Sequence, residues 1–308
     1  MERRQLGKSG IRVAPFCFGG NVFGWTADED TSFALLDAFV GAGFDFIDTA
    51  DSYSAWAPGH NGGESETIIG KWLAARGDRA KVVIATKVGM WKNQPGLRAA
   101  NIIAACEGSL KRLQTDYIDL YQSHSDDPET APEETMEAFG SLIAAGKVRA
   151  IGASNFEVPR LSASLEASKT RSLPRYESLQ PLYNLIDREF EKELQPFCVA
   201  QHIGVIPYFA LASGFLTGKY RKEDDLKGRA RGSSVSRYLT PENLGLLDRL
   251  EDVAKKRDVA MVEVAFAWLR DRLAVVAPIA SATNTNQLQS LLRAAALKLT
   301  PAEIMALG

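Results

Sequence analysis

Cysteine is scarce in this chain. Cys17, Cys106 and Cys198 are odd in number, widely spaced and in no CxxC arrangement, so a disulfide framework and a cysteine-rich metal site are both excluded. The three read as small buried hydrophobes, and no metal is expected. A surplus of charge is also missing: 36 basic against 38 acidic residues leave a formal charge of −2. That balance gives no electrostatic case for nucleic acid or an anionic membrane surface as a partner. No uninterrupted apolar stretch approaches the roughly 20 residues of a membrane span, and the opening MERRQLGKSG lacks the apolar core of a secretory signal. The expected location is the cytoplasm, and the expected partner is a small, neutral or mildly polar molecule. The sequence does not speak to oligomeric state.

What is present is a repeating alternation. Short apolar runs rich in Val, Ile and Phe occur at 17–19, 44–48, 81–89, 117–124, 148–155, 178–184, 204–211 and 274–280. Between them lie stretches with helical spacing, such as Phe33, Leu36, Ala38, Phe39 and Val40, or Ile102, Ile103, Cys106, Leu110 and Leu113. Strands that are apolar nearly throughout belong to a parallel sheet covered on both faces. Eight such units in 308 residues predict an α/β fold, a (β/α)8 TIM barrel formed as one domain over residues 1–308. A doubly wound sheet is the competing arrangement, but the stretch after the first strand reads CFGGNVFG and holds no GxGxxG. The segment RRQLGKSGIRVAP predicts an N-terminal β-hairpin closing the barrel bottom. A long loop after strand seven runs from about Ala212 to Thr240, rich in Gly, Ser and charge, and precedes a helix over 241–257.

Barrel enzymes place their chemistry where strands end and the following loops begin. Asp48 ends strand two, Lys87 strand three and His124 strand four, and Tyr53 sits in the loop after strand two. Taken singly, Asp48 is a turn former, Tyr53 a packed aromatic and His124 a core or capping histidine. Lys87 is harder to dismiss, because a lysine inside IATKVG is buried and needs a partner. Together the four make a proton-donating site. An ammonium beside a phenol favours the phenolate, so Lys87 is expected to lower the Tyr53 pKa toward the working pH, with Asp48 pairing the ammonium. Tyr53 is then a general acid, and His124 can hydrogen-bond a carbonyl oxygen.

LGKSG at 6–10, FIDTADSY at 46–53, GGESETIIGKWL at 62–73, IATKVG at 84–89, LQTDYIDLYQSH at 113–124, GKVRAIGASNF at 146–156, LQPLYNL at 179–185 and ASGFLTGKY at 212–220 run along essentially the whole chain. Together they make it resemble the aldo-keto reductase superfamily. The resemblance implies that Asp48, Tyr53, Lys87 and His124 are a catalytic tetrad, and that hydride passes from a nicotinamide to an aldehyde or ketone while Tyr53 donates the proton. By the same resemblance Ser154, Asn155 and Gln180 hold the carboxamide, Tyr208 stacks on the nicotinamide ring, and Ser213, Gly214 and Lys219, with Gly20 and Leu211, belong to the cofactor groove. KGRARGSSVSR either folds over the diphosphate as a lid or remains a solvated loop.

Two departures from the family pattern stand out. After strand eight, PIASATNTNQLQSLL places Ser281, Thr283 and Asn284 where a base is expected for the 2′-phosphate of NADPH. Gln287 matches an adenine-side contact, whereas Leu291 stands where an Asn is frequent. These departures predict only a modest preference for NADPH, which the resemblance alone makes the expected cofactor, with NADH usable. After His124, Ser125 replaces a common aromatic and leaves a wider pocket. Trp25, Trp56 and Trp91, each in a loop after a strand, either line that pocket for the substrate or are structural. Two other classes remain to be weighed. One is a nucleotide-binding regulatory protein resembling potassium-channel β-subunits, which His124 argues against. The other is a Schiff-base lyase with Lys87 as nucleophile, which leaves Tyr53, Asn155 and Gln180 without a task.

Overall fold

The computed structural model describes residues 2–308. The chain starts with the expected hairpin, β1 (Arg4–Gln5) antiparallel to β2 (Arg12–Val13). Eight parallel strands follow: β3 (Cys17–Gly19), β4 (Phe46–Asp48), β5 (Val83–Val88), β8 (Ile118–Ser123), β9 (Val148–Ser154), β10 (Tyr176–Gln180), β11 (Gly204–Val205) and β12 (Ile279–Ala280), ordered β11-β10-β9-β8-β5-β4-β3-β12. The sheet closes on itself, since Val205 N donates to Ala274 O at 2.9 Å and Val276 N to Val205 O at 2.8 Å. This is the (β/α)8 barrel predicted by the alternation of strands and helices.

Helices wrap the outside: α1 (Glu29–Gly41), α2 (Glu64–Arg76), α3 (Ala99–Leu113), α4 (Pro132–Ala144), α5 (Val158–Thr170), α6 (Leu194–Gln201), α8 (Pro241–Arg257), α9 (Met261–Arg270), α10 (Thr285–Ala294) and α11 (Pro301–Leu307). Their ends follow from local chemistry. Asp28 caps α1 by accepting from Thr31 N at 2.9 Å, and Thr240 caps α8 with Pro241 at its first position. Along α3 the side chains of Ile102, Cys106, Leu110 and Leu113 are buried, while Ile103 is 40 % exposed. One residue on from Ile102 is about 100° around the helix, so Ile103 leaves the apolar stripe despite its hydrophobicity. The three cysteines are free and buried.

The period of two along each strand builds the site. Phe46 of β4, Ala85 of β5 and Leu120 of β8 point into the barrel, where Leu6, Ile11 and Val13 of the hairpin meet them and seal the bottom. Two residues further along the same three strands come Asp48, Lys87 and Gln122. Inward direction is thus fixed for these polar groups, at the carboxyl ends of the strands, above an apolar floor. Ile47 and Tyr121 alternate outward into the layer beneath the helices.

Two features of the connections differ from or refine the expectation. The stretch after β5 holds a small antiparallel hairpin, β6 (Met90–Trp91) with β7 (Gln94–Pro95), which the apolar patterning does not signal. The long connection after β11 is ordered by short helical turns at Ala212–Thr217 and Glu223–Leu226 and by α7 (Gly232–Ser236). It is fastened to the body by Arg221, which pairs with Asp248 at 2.6 Å and Glu251 at 2.7 Å, and by the Tyr238 hydroxyl, which donates to Asp187 at 2.6 Å. Among the described residues, no helix is long and apolar enough to cross a membrane.

Candidate active site

Asp48, Tyr53, Lys87 and His124 meet at the carboxyl end of the barrel. Lys87 is fully buried, and its ammonium uses all three protons: Nζ donates to Asp48 Oδ2 at 2.6 Å, to Thr49 O at 2.8 Å and to the Tyr53 hydroxyl oxygen at 2.8 Å. The ammonium also lies 4.5 Å from the Tyr53 ring centroid. Because Lys87 donates to the phenol oxygen, the phenol proton must point elsewhere. Its nearest protein acceptor, Asp48 Oδ2, is 3.4 Å away, too long for a strong bond. The proton is therefore available to a ligand. The His124 ring centroid lies 5.9 Å from that of Tyr53, and Ser52 Oγ lies 3.5 Å from His124 Nδ1.

The electrostatics correct one expectation. Lys87 does not bring the phenol near neutrality: burial pushes Tyr53 up to about 12, Lys87 pulls the other way, and Asp48 adds to the rise. Desolvation of a phenolate outweighs one ammonium whose charge is already shared with a carboxylate. Tyr53 is a protonated phenol throughout the physiological range. Burial by itself would pull Lys87 down, but the Asp48 carboxylate, together with the hydrogen bonds to Asp48 and Tyr53, outweighs it, so the ammonium is held above its ordinary value. A lysine held charged with every proton engaged is a poor Schiff-base nucleophile. Burial, reinforced by Lys87, holds His124 well below its usual value, so it is a neutral imidazole that donates through one ring nitrogen.

Around this centre, Ser154 Oγ donates to Gln180 O at 2.9 Å, and Asn155 Nδ2 donates to His124 O at 2.9 Å and Ser154 Oγ at 3.2 Å. The Tyr208 hydroxyl donates to Asn155 Oδ1 at 2.8 Å. Asn155 holds a left-handed backbone at φ +55°, a conformation that Asn tolerates better than most residues. Gln180 Nε2 donates to Asp48 Oδ1 at 2.9 Å. Ser154, Asn155, Gln180 and Tyr208 are thus brought together beside the tetrad.

The remaining candidates lie along the rim. Gly20 follows β3, and a Cβ there would meet Ser65 Oγ at 2.9 Å and Asp48 O at 3.0 Å. Leu211, Ser213 and Gly214 form the turn after β11, with Ser213 at φ +58° and Gly214 at φ +99°. Lys219, Arg229 and Arg231 make no ion pair among the described residues, and the Arg231 guanidinium lies 5.8 Å from the Trp25 ring centroid. Arg229 lies close enough to Asp225 to help lower its pKa, while Lys219 and Arg231 have no carboxylate within ion-pair distance among the described residues. Beyond β12, Ser281 Oγ is engaged with Gly19 O at 2.7 Å and Asn21 Oδ1 at 2.6 Å. Thr283 N donates to Gln287 Oε1 at 2.9 Å, and Asn284 caps α10.

Two tryptophans join the centre and one does not. Trp25 packs edge-on against Trp56 at 5.7 Å, and Trp56 against Tyr53 at 5.9 Å. Trp91, on the β6–β7 hairpin, packs with Arg112 at 5.3 Å and donates its indole N–H to Asn61 O at 2.7 Å. Two buried polar groups escaped the sequence reading. Gln122 donates to Asp48 Oδ1 at 3.2 Å, and its signal was an amide two positions before His124 in a fully buried strand. Asp51 has neither carboxylate oxygen bonded among the described residues, and burial, with Glu66 adding, pushes it up to about 8.

The barrel mouth thus gathers a protonated phenol, an engaged ammonium and a neutral imidazole, groups suited to acid–base chemistry. The chain belongs to the aldo/keto reductase family, whose sequence model matches residues 15–307. It is 35% identical over 304 residues to the aldo-keto reductase YhdN of Bacillus subtilis, covering 94% of this chain and 88% of that protein. To the oxidoreductase YrpG of the same organism it is 37% identical over 310 residues, covering 97% and 92%. To norsolorinic acid reductase stcV of Emericella nidulans it is 31% identical over 313 residues, covering 96% and 78%. The protein is an NAD(P)H-dependent oxidoreductase of a family that acts on small carbonyl compounds.

Proposed function

We propose that the protein reduces an aldehyde or ketone to the alcohol, with NADPH as the preferred reductant and NADH usable, and with Tyr53 as the proton donor. The observation that carries this reading is the engagement of Lys87. Its donation to the phenol oxygen turns the Tyr53 proton outward and stabilises the phenolate left behind when that proton is given away. A phenol held at about 12 stays protonated at neutral pH yet is acidic enough to protonate an oxygen that is becoming an alkoxide. The neutral His124 donates a hydrogen bond to the same oxygen and orients the carbonyl.

Ser154, Asn155 and Gln180 would hold a nicotinamide carboxamide, with Tyr208 against the ring, and the turn from Leu211 to Lys219 with Gly20 would border the remainder. Lys219, Arg229 and Arg231 would meet its phosphates. Bound there, the reduced nicotinamide supplies the hydride. Gln180 suits its task because Nε2 is committed to Asp48 while Oε1 accepts no protein donor. Trp25 and Trp56 would line the carbonyl side. Trp91 would act at one remove, by holding Asn61 and the loop beside it. Compartment and oligomeric state lie outside this proposal.

The test is a panel of aldehydes and ketones assayed with NADPH and with NADH, following the absorbance of the reduced nicotinamide. Carbonyl-dependent oxidation is expected. A panel spanning aliphatic and aromatic carbonyls with no turnover would contradict the reading.

A further inference from the structure

Asp48 is completely buried, and a buried carboxylate needs donors at both oxygens. Oδ2 is served by Lys87 at 2.6 Å. Oδ1 receives nothing from Lys87 and is served by two amides, Gln180 Nε2 at 2.9 Å and Gln122 Nε2 at 3.2 Å. The amides also touch each other, Gln180 Nε2 to Gln122 Oε1 at 3.3 Å.

The barrel is shaped to admit the Gln122 side chain. Gln122 is paired in register with Lys87 on one side and with Gly152 on the other. A Cβ on Gly152 would stand 3.2 Å from Gln122 Cγ and 2.2 Å from Ser178 Oγ. The glycine on β9 leaves Gln122 Cγ and Ser178 Oγ uncrowded inside the barrel. Gln122 itself is fully buried, so its amide has no exchange with solvent to fall back on.

We propose that Gln122 is a positioning residue of the proton-donating site: with Gln180 it clamps Oδ1 of Asp48, so that only Oδ2 is turned toward Lys87 and Tyr53. This rests on the role given to Tyr53 above. Donors at Oδ1 draw the carboxylate charge away from Oδ2, and the Asp48 charge adds to burial in opposing Lys87 at the phenol. The ionisable groups facing this point are Asp48, Lys87, Tyr53, His124, Asp51, whose carboxyl burial pushes up to about 8 and whose charge Lys87 feels, and, from β3, Cys17, whose thiol burial holds well above its ordinary value and so uncharged. Removing the Gln122 donor returns charge to Oδ2 and makes Tyr53 a weaker acid. A residue that merely filled space would change packing without that change in acidity.

The experiment compares wild type, Gln122→Leu and Gln122→Glu. The first removes the donor at similar volume, and the second places a carboxyl beside Asp48. Two readouts are taken: the pH dependence of alcohol oxidation with NADP⁺, and the ¹³Cζ resonance of Tyr53 in tyrosine-labelled unliganded protein, identified with Tyr53→Phe. Gln122→Leu is expected to displace both profiles to higher pH by about half to one unit, a fraction of the roughly one to two units that a hydrogen bond to a charged group is worth, because the lost bond reaches Tyr53 only through Asp48. KM for the alcohol should stay within about threefold while kcat falls roughly three- to tenfold, matching that displacement. Gln122→Glu should displace the profiles at least as far, and it decides the matter if the Leu variant does not fold. Profiles superimposable on wild type would overturn the proposal. The resonance is read without turnover, so absence of carbonyl reduction in wild type would count against the function alone.

Discussion

The Lys87 ammonium donates to the Tyr53 phenol oxygen at 2.8 Å while the same nitrogen holds Asp48 Oδ2 at 2.6 Å. One buried cation therefore serves a carboxylate and a phenol at once, and its loss has two separable consequences. Lys87→Met leaves Asp48 buried without its cation, which costs about 3–5 kcal/mol of stability. It also removes the only nearby charge that pulls Tyr53 downward, so the phenol becomes less acidic and carbonyl reduction is lost. Urea denaturation measures the first effect and the kinetic assay the second. A variant as stable and as active as wild type would remove Lys87 from the account.

Asp51 gives the fold a pH dependence that catalysis does not require. Its pKa rises from 3.8 to about 8 on folding, so between those values the folded protein holds a proton that the unfolded chain has released. The stability this confers is complete below about pH 4 and is lost as pH rises toward 8, by at most about 1.4 kcal/mol per unit. Asp51→Asn lacks the titration. Urea unfolding at pH 5 and pH 8 should show wild type losing about 2 kcal/mol or more relative to the variant across that interval. Equal losses in the two proteins would place the Asp51 pKa outside the window.

Cofactor preference should respond to single residues. The turn after β12 offers no cation, and Ser281 is occupied by Gly19 and Asn21. Thr283→Arg should tighten NADPH by about 1–3 kcal/mol and leave NADH nearly unchanged, since only NADPH carries the 2′-phosphate. Lys219→Met should weaken both by a similar factor, because both carry the diphosphate. Dissociation constants from quenching of tryptophan fluorescence check each. Selective loss of NADPH in Lys219→Met would move the 2′-phosphate contact onto the long loop.

Much of this arrangement is legible in the sequence, for identifiable reasons. The strands are readable because both their faces are buried, and the tetrad because four polar residues fall together at consecutive strand ends, with a lysine inside IATKVG that burial obliges to find a partner. The β6–β7 hairpin is not readable: MWKNQP carries neither alternation nor an NG or DG turn. The Tyr53 pKa was misjudged because the sequence shows the ammonium nearby but not the depth of burial, which dominates. Gln122 was passed over because an amide carries no charge to flag it. Its role appears only when the register sets it beside Lys87 and Gly152 leaves it room. Trp91 resembled its two partners in sequence, and only the hairpin separates it from them.

The central claim is that Tyr53 gives the proton while the cofactor site stands independently. Its most direct test is a single turnover of Tyr53→Phe: the variant is saturated with NADPH, mixed rapidly with an aldehyde that wild type reduces, and followed by the absorbance of the reduced nicotinamide. The account predicts NADPH affinity within about threefold of wild type and a rate of oxidation lower by roughly 10² to 10⁴. Oxidation at the wild-type rate would contradict it.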